Sequence, residues 1–211
     1  MKKSKFCINA SPVHVSDSMS GKMSGIPSIS TSCLMNPICQ KRMKDPNSIC
    51  AHCFAAATLN RYTAAGRAMA ANYELLTSRI LTDEELPIFG NVAIVRIESF
   101  GDVANVTQAR NYVRIIKANP AVTFAWWTKN AGIVAAAFKV EGGKPDNVVM
   151  IESSPYLNTV KPLSAGMDKT FTVYDKIAAA GVEINCGARC CATCRRCYSK
   201  QTESQVSELL K

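Results

Sequence analysis

Apolar and polar positions change period several times along the chain, and those changes divide it into elements. Residues 1 to about 32 carry Ser, Met, Gly and Pro with no sustained period, which predicts an irregular, extended lead-in packed across the body. From Phe54 to Leu81 alanine dominates, with apolar residues three and four apart and Arg61, Arg67, Asn72 and Glu74 interleaved. Alanine loses no side-chain entropy in a helix, so this stretch predicts helix with one face on a core. Thr82-Asp83-Glu84-Glu85 reads as the cap of a short further turn.

From Asn91 the pattern alternates. Apolar runs at Asn91 to Ile97, Val122 to Trp127, Val148 to Ile151, Phe171 to Tyr174 and Val182 to Ile184 predict five strands. Helical stretches fall between them, at about Asn105 to Ala118, at Ile133 to Val140 and, briefly, at Ala178 to Ala180; Gly142-Gly143 reads as a turn. Strand, polar loop, helix, strand is the pattern of a parallel sheet. The chain is therefore expected to be one α/β domain over 1–211. Its body, 54–185, is flanked by Cys-rich segments at 33–53 and 186–198.

Parallel α/β folds bind ligands at the carboxyl ends of their strands. Those ends carry Glu98, Ser99, Asp102, Thr128 and Lys129, then Glu152-Ser153-Ser154 and Asp175. Arg96 and Glu98 alternate within one strand and should face the same way, making a costly buried pair unless it positions or binds something. Singly, each residue is also a turn or cap candidate: Asp102 for the helix it precedes, Ser153-Ser154-Pro155 for a turn. Together they form a candidate ligand rim, in which Lys129 suits an anionic group or offsets the charge of a metal cluster.

The densest chemistry lies in the cysteines. Five fall within twelve residues, in Cys186-Gly-Ala-Arg-Cys190-Cys191-Ala-Thr-Cys194-Arg-Arg-Cys197. Thiolates three residues apart in a turn can converge on one centre. Two overlapping spacings are present, Cys186/Cys191/Cys194/Cys197 as C-x4-C-x2-C-x2-C and Cys190/Cys194/Cys197 as C-x3-C-x2-C. Either suits a 4Fe–4S cluster held by Cys thiolates. A second group, Cys33, Cys39, Cys50 and Cys53, ends in a tight C-x2-C pair, and the polar loop from Lys41 to Pro46 can fold its ends together. These thiols permit two clusters, or one built from both ends of the chain. His52 is expected beside the site or exposed, and Cys7 and His14 to be incidental.

Composition narrows the setting. Ten Cys in compact groups favour metal ligation in a reducing compartment over disulfides. No apolar run approaches the roughly 18 residues that span a bilayer, and polar residues follow the basic N-terminus, so a cytoplasmic location with no membrane partner is expected. The net charge of +9 invites a nucleic-acid partner. It is spread out, however, apart from Lys2, Lys3 and Lys5, the Lys41-Arg42-Lys44 group, and Arg189, Arg195 and Arg196. Two of these groups lie among cysteines, where they can offset cluster charge.

Arg96-Ile97-Glu98-Ser99-Phe100-Gly101-Asp102, the later Phe124-Ala125-Trp126-Trp127-Thr128-Lys129 strand end, Cys53-Phe54-Ala55 and Cys191-x2-Cys194-x2-Cys197-Tyr198 resemble the phage "gene product 88" family over residues 33 to 198. Phe100, inserted between Ser99 and Gly101, and the long Cys39–Cys50 spacer depart from its pattern. The resemblance implies an iron–sulfur α/β protein of a phage or prophage, working in a bacterial host, and names no reaction. Cys190, Cys194 and Cys197 are more loosely similar to radical S-adenosylmethionine enzymes, which implies a parallel-stranded, partial TIM-like barrel. Arg196, where those enzymes have an aromatic, and the motif's place near the end of the chain depart from that superfamily.

Three functions follow. The first is a 4Fe–4S protein in electron transfer, or in a redox or structural role, with a redox partner protein. The second is an enzyme whose open cluster uses S-adenosylmethionine or another anionic ligand near Arg96, Asp102 and Lys129, although no glycine-rich cofactor loop supports it. The third is a zinc-bearing nucleic-acid-binding protein.

Overall fold

The computed structural model describes residues 4–17, 19–187 and 190–210. Lys2, Lys3 and Arg189 of the basic groups lie outside them. Six parallel strands form one open sheet in sequential order: β1 (Ser28–Ile29), β2 (Ile94–Ile97), β3 (Thr123–Thr128), β4 (Val148–Ser153), β5 (Lys169–Tyr174) and β6 (Gln205–Leu209). Registers run from Ser28 opposite Arg96 to Tyr174 opposite Leu209. The parallel α/β expectation is met, with β1 and β6 as the sheet's two edges.

Sequential parallel order with crossovers of one hand stacks the connecting helices on one face. There α3 (Thr63–Ser78), α4 (Val106–Lys117) and α5 (Ala131–Val140) pack side by side. The alternation of each strand serves both faces, as a sheet covered on two sides requires. Phe124, Trp126, Val148 and Met150 point into the main core with Tyr112, Ile115 and Val134. Ala125, Trp127, Val149 and Ile151 point the other way, into a smaller core closed by Ile26 and Tyr198. The Asn105 side chain caps α4, accepting from the Gln108 amide at 2.9 Å.

Several boundaries differ from the sequence reading, each for a local reason. The alanine-rich stretch is two helices, α2 (Phe54–Arg61) and α3, broken at Tyr62, whose ψ of 85° leaves the helical region. The lead-in holds a strand, β1, too short to show a period. Val182 to Ile184 is not a strand, and Ala178 to Ala180 is a turn. The sixth place in the sheet is taken by β6, beyond the second cysteine group. That group, with the four-residue α6 (Cys191–Cys194), therefore lies in the β5–β6 crossover. Glu85 completes the expected cap by accepting from the Thr82 amide at 2.9 Å. Gly142 and Gly143 both have positive φ in a turn.

Arg96 and Glu98 do not share a face. Arg96 packs its guanidinium over Trp127, whereas Glu98 bonds Tyr112 and Gln108 of α4 across the sheet. The cause is the Glu98 backbone, whose φ of 58° is left-handed and breaks the period of two.

Candidate metal centre

The cysteines separate into two groups. In the first, each thiol is fixed at the start of a helix or turn. Asn36, fully buried, accepts from the amides of Ile38 and Cys39 to start α1 (Pro37–Met43), and its Nδ2 donates to the Asp102 carbonyl at 2.8 Å. Ser48 caps the turn bearing Cys50, and it and Ile49 hydrogen-bond the Pro155 carbonyl. Cys53 is the N-cap of α2. Cys33, Ala55, Leu59 and Met69 form a small core against which Cys39 and Cys53 pack. Gly66 lets α3 approach α2 there, since a Cβ would sit 3.0 Å from the Leu59 carbonyl oxygen.

Cys33 and Cys53 share a side-chain hydrogen bond, which pulls Cys53 down and pushes Cys33 up. The first-turn amides of Ala56 and Ala55 and the Lys129 ammonium add to the lowering at Cys53. Burial pushes Cys39 well up, helped by Asp102, Glu98 and Cys50 and opposed by Lys129. The loop between Cys39 and Cys50 is anchored through Arg42, which donates to Asn130 Oδ1 at 2.9 Å and lies 3.5 Å from Asp102. His52 is exposed. Cys7 is buried in the main core opposite Phe89. His14 donates its amide to Asn72 Oδ1.

The rim residues stand beside this group, and most are engaged in holding loops. Asp102 accepts from Thr128 Oγ1 at 2.6 Å and from the Lys129 and Val103 amides, joining the ends of β2 and β3. Helix α4 is capped by Asn105, which corrects that role for Asp102. Ser99 bonds Ser28 and Ser30, fastening β1. Glu152 is held by Lys161, and Asp175 by Asn158 and the amides of Ile177 and Ala178. Glu98 is fully buried; burial pushes its carboxyl up to about 7, against hydrogen bonds from Tyr112 and Thr31. Sequence reading missed Thr31, Gln108 and Tyr112, which surround it.

In the second group, Cys186, Cys191, Cys194 and Cys197 act electrostatically on one another. Cys190 instead turns its Sγ to the Ser24 carbonyl at 3.8 Å. Burial pushes Cys197 up to about 12, with Arg96 opposing and the other three thiols adding. Cations surround the set. Lys22 Nζ lies 3.7 Å from Cys186 Sγ while pairing with Glu208. Lys169, fully buried, donates to the Thr202 and Glu203 carbonyls and feels Cys197. The only sign of Lys169 in the sequence is a charge opening a strand.

Arg96 carries the strongest constraint. It is half-buried and its guanidinium lies 3.2 Å from the Trp127 ring centroid; burial lowers its pKa while Tyr198, Cys197 and Cys191 favour the charge. Its Nε has no hydrogen-bond partner, and among the described residues no carboxylate pairs with it. Even partial burial of a cation is costly without a counter-charge. Thiolates at Cys191 and Cys197 would supply one. Among the described residues, no three His, Cys, Asp or Glu side chains form a ready site for a metal ion. A four-iron cluster is a different demand, because each thiolate takes its own iron and the sulfurs stand apart. The donor set and the cations fit a cluster that four thiolates make anionic.

A family model described as gene product 88 matches residues 2–180, most of the chain, and the chain belongs to that family. The match takes in the first cysteine group and the rim and ends before Cys186. No curated protein and no solved structure matches the chain.

Proposed function

We propose that this gene product 88 protein is a phage-type iron–sulfur protein holding a 4Fe–4S cluster on Cys186, Cys191, Cys194 and Cys197, in electron transfer or a redox role. The observation that carries this reading is Arg96: half-buried, stacked on Trp127, its buried Nε unpartnered, beside two of the four thiols and, among the described residues, without a carboxylate. The cluster, when bound, supplies one-electron exchange. The chain's own residues shape what surrounds it. Arg96, Lys22 and Lys169 offset negative charge, Trp127 and Tyr198 exclude water from the inner side, and exposed Cys194 leaves an edge open to a redox partner protein. We read the open six-stranded sheet as a partial, TIM-like barrel whose inner face these residues line. Ten free thiols suit a reducing compartment, the host cytoplasm. No described helix is long and apolar enough to cross a membrane.

The test is anaerobic purification followed by visible absorption and electron paramagnetic resonance before and after dithionite. A brown protein that bleaches and gains a paramagnetic signal supports the reading. Colourless protein carrying zinc alone defeats it and turns attention to a nucleic-acid partner for the basic surface.

A further inference from the structure

Cations that look scattered along the sequence gather on three packed helices. Between Ser20 and Tyr73 the chain carries Lys22, Lys41, Arg42, Lys44, Arg61 and Arg67 against a single carboxylate, Asp45. Lys22 and Arg42 are engaged with Glu208 and Asp102. Lys41, Lys44, Arg61 and Arg67 are exposed and form no ion pair among the described residues. Asp45 is half-buried and accepts from the Asn47 amide at 3.0 Å. The four free cations sit on α1 and its C-terminal cap, α2 with its end, and α3, which Cys39, Leu59 and Met69 gather round one small core. The outward faces of these helices therefore form one basic, acid-poor surface. Two aromatic rings stand on it: Phe54 is 68% exposed and Tyr62 56%. They mark the two ends of α2, about 12 Å apart along its axis. Phe54 leans on Phe100 with 6.2 Å between ring centres, and the Arg61 guanidinium lies 5.6 Å from the centre of Tyr62. The core beneath is closed by Ala55, Leu59 and Met69, and neither ring belongs to it.

We infer that this face of α1, α2 and α3 binds single-stranded nucleic acid, with Phe54 and Tyr62 as base platforms and Lys41, Lys44, Arg61 and Arg67 as phosphate contacts. Unpaired cations on an acid-poor surface select an anionic partner. Exposed rings beside them select one that also offers flat apolar faces, which an acidic peptide lacks. A duplex keeps its bases stacked on one another, so only a single strand can lay them on Phe54 and Tyr62. Phe100 supports Phe54 from one side and Arg61 holds Tyr62, so both platforms are set before a strand arrives. Stacking and phosphate contact read no base edges, so binding tolerates sequence. None of these residues belongs to the proposed cluster site, and the inference goes beyond that reading without resting on it.

The experiment titrates the full chain, purified anaerobically, into a fluorescent oligothymidine of about twelve nucleotides, within the usual range of such sites. Anisotropy gives the affinity at several salt concentrations, with a hairpin duplex and polyglutamate as competitors. The variants are Phe54→Ala, Phe54→Trp, Arg67→Gln and Lys139→Gln, the last removing an exposed cation in the final turn of α5. The single strand should bind tightest of the three polyanions. Phe54→Ala should weaken it about 5- to 150-fold without changing the salt slope, and Phe54→Trp should keep the affinity. Arg67→Gln should lower the slope of log affinity against log salt by about 0.7, the share of one phosphate, while Lys139→Gln leaves it unchanged. Should Phe54→Ala misfold, quenching of the Phe54→Trp fluorescence by the bound strand replaces it. An affinity unmoved by Phe54→Ala, or a fluorescence unmoved in Phe54→Trp, overturns the inference. So do a duplex or polyglutamate bound as tightly, equal slopes for Arg67→Gln and Lys139→Gln, and an absence of binding at low salt. Iron enters none of these readouts, so this inference and the cluster reading fail separately.

Discussion

The Arg96 guanidinium lies 3.2 Å from the centre of the Trp127 ring, and the two residues sit on adjacent strands with their side chains on the same face of the sheet. Desolvated cation–π contacts contribute about 2 kcal/mol, less than the cost of burying an unpaired charge. A negative neighbour would therefore stabilise the pair, whose Arg96 is half-buried. Replacing Arg96 with Met keeps the bulk over Trp127 and removes the charge. The expected outcome is a cluster that loses iron faster in air and is harder to reduce, by about 60 mV if the lost interaction is ~1.4 kcal/mol. Potentiometric titration checks the sign; an unchanged potential would separate Arg96 from the cluster.

Glu98 gives a pH dependence with a definite direction. Its carboxyl titrates at about 7 in the folded chain against an ordinary value of 4.5, because burial disfavours the anion more than Tyr112 and Thr31 favour it. A carboxyl raised on folding stabilises the fold fully below its unfolded pKa, and that contribution is lost as pH climbs through the folded value. Stability should fall by roughly 3 kcal/mol from this group between pH 4.5 and 7, and level off above. Glu98→Gln should flatten that slope. It should also cost about 1–3 kcal/mol at low pH, where its amide meets the Thr31 N–H that Oε2 now accepts. Urea unfolding at four pH values reads both effects.

Gly101 is fixed by its neighbours. A Cβ there would lie 2.6 Å from the Thr31 carbonyl oxygen and 2.8 Å from Glu98 Oε2. Gly101→Ala should cost about 1–3 kcal/mol. Gly132→Ala, in the first turn of α5 with nothing within 4 Å, should be neutral or gain up to about 1 kcal/mol. At roughly 2–4 °C per kcal/mol for a chain of this size, calorimetry separates the two.

Asp102 joins the ends of β2 and β3 by accepting from Thr128, Val103 and Lys129. Asp102→Asn turns one of those acceptors into a donor facing a donor and should cost about 1–3 kcal/mol. Faster amide exchange at Lys129 and Asn130 than in the rest of β3 and α5 would locate the loss; uniform exchange would contradict it.

How much of this was legible in the sequence follows from burial. The strands Val122 to Trp127 and Val148 to Ile151 are continuous apolar runs because both sheet faces are covered, and such runs are read directly. Ser28–Ile29 is too short for any period. Gln205–Leu209 alternates at an edge after a polar stretch, so Val182 to Ile184, apolar but unpaired, looked the better strand. The rim was found from its position after strands, yet the direction of Glu98 was not, because a left-handed residue breaks the alternation that such a reading assumes. Spacing alone also left Cys190 and Cys191 equal. At the short helix α6 Cys190 turns to the Ser24 carbonyl while Cys191 packs against the smaller core, which favours Cys191 for the proposed cluster.

That choice makes the most direct test. Iron and acid-labile sulfide are measured in anaerobically purified wild type, Cys190→Ser and Cys191→Ser. About four of each are expected in wild type and in Cys190→Ser, with a marked loss in Cys191→Ser. No iron in wild type, or a loss in Cys190→Ser equal to that in Cys191→Ser, would contradict it.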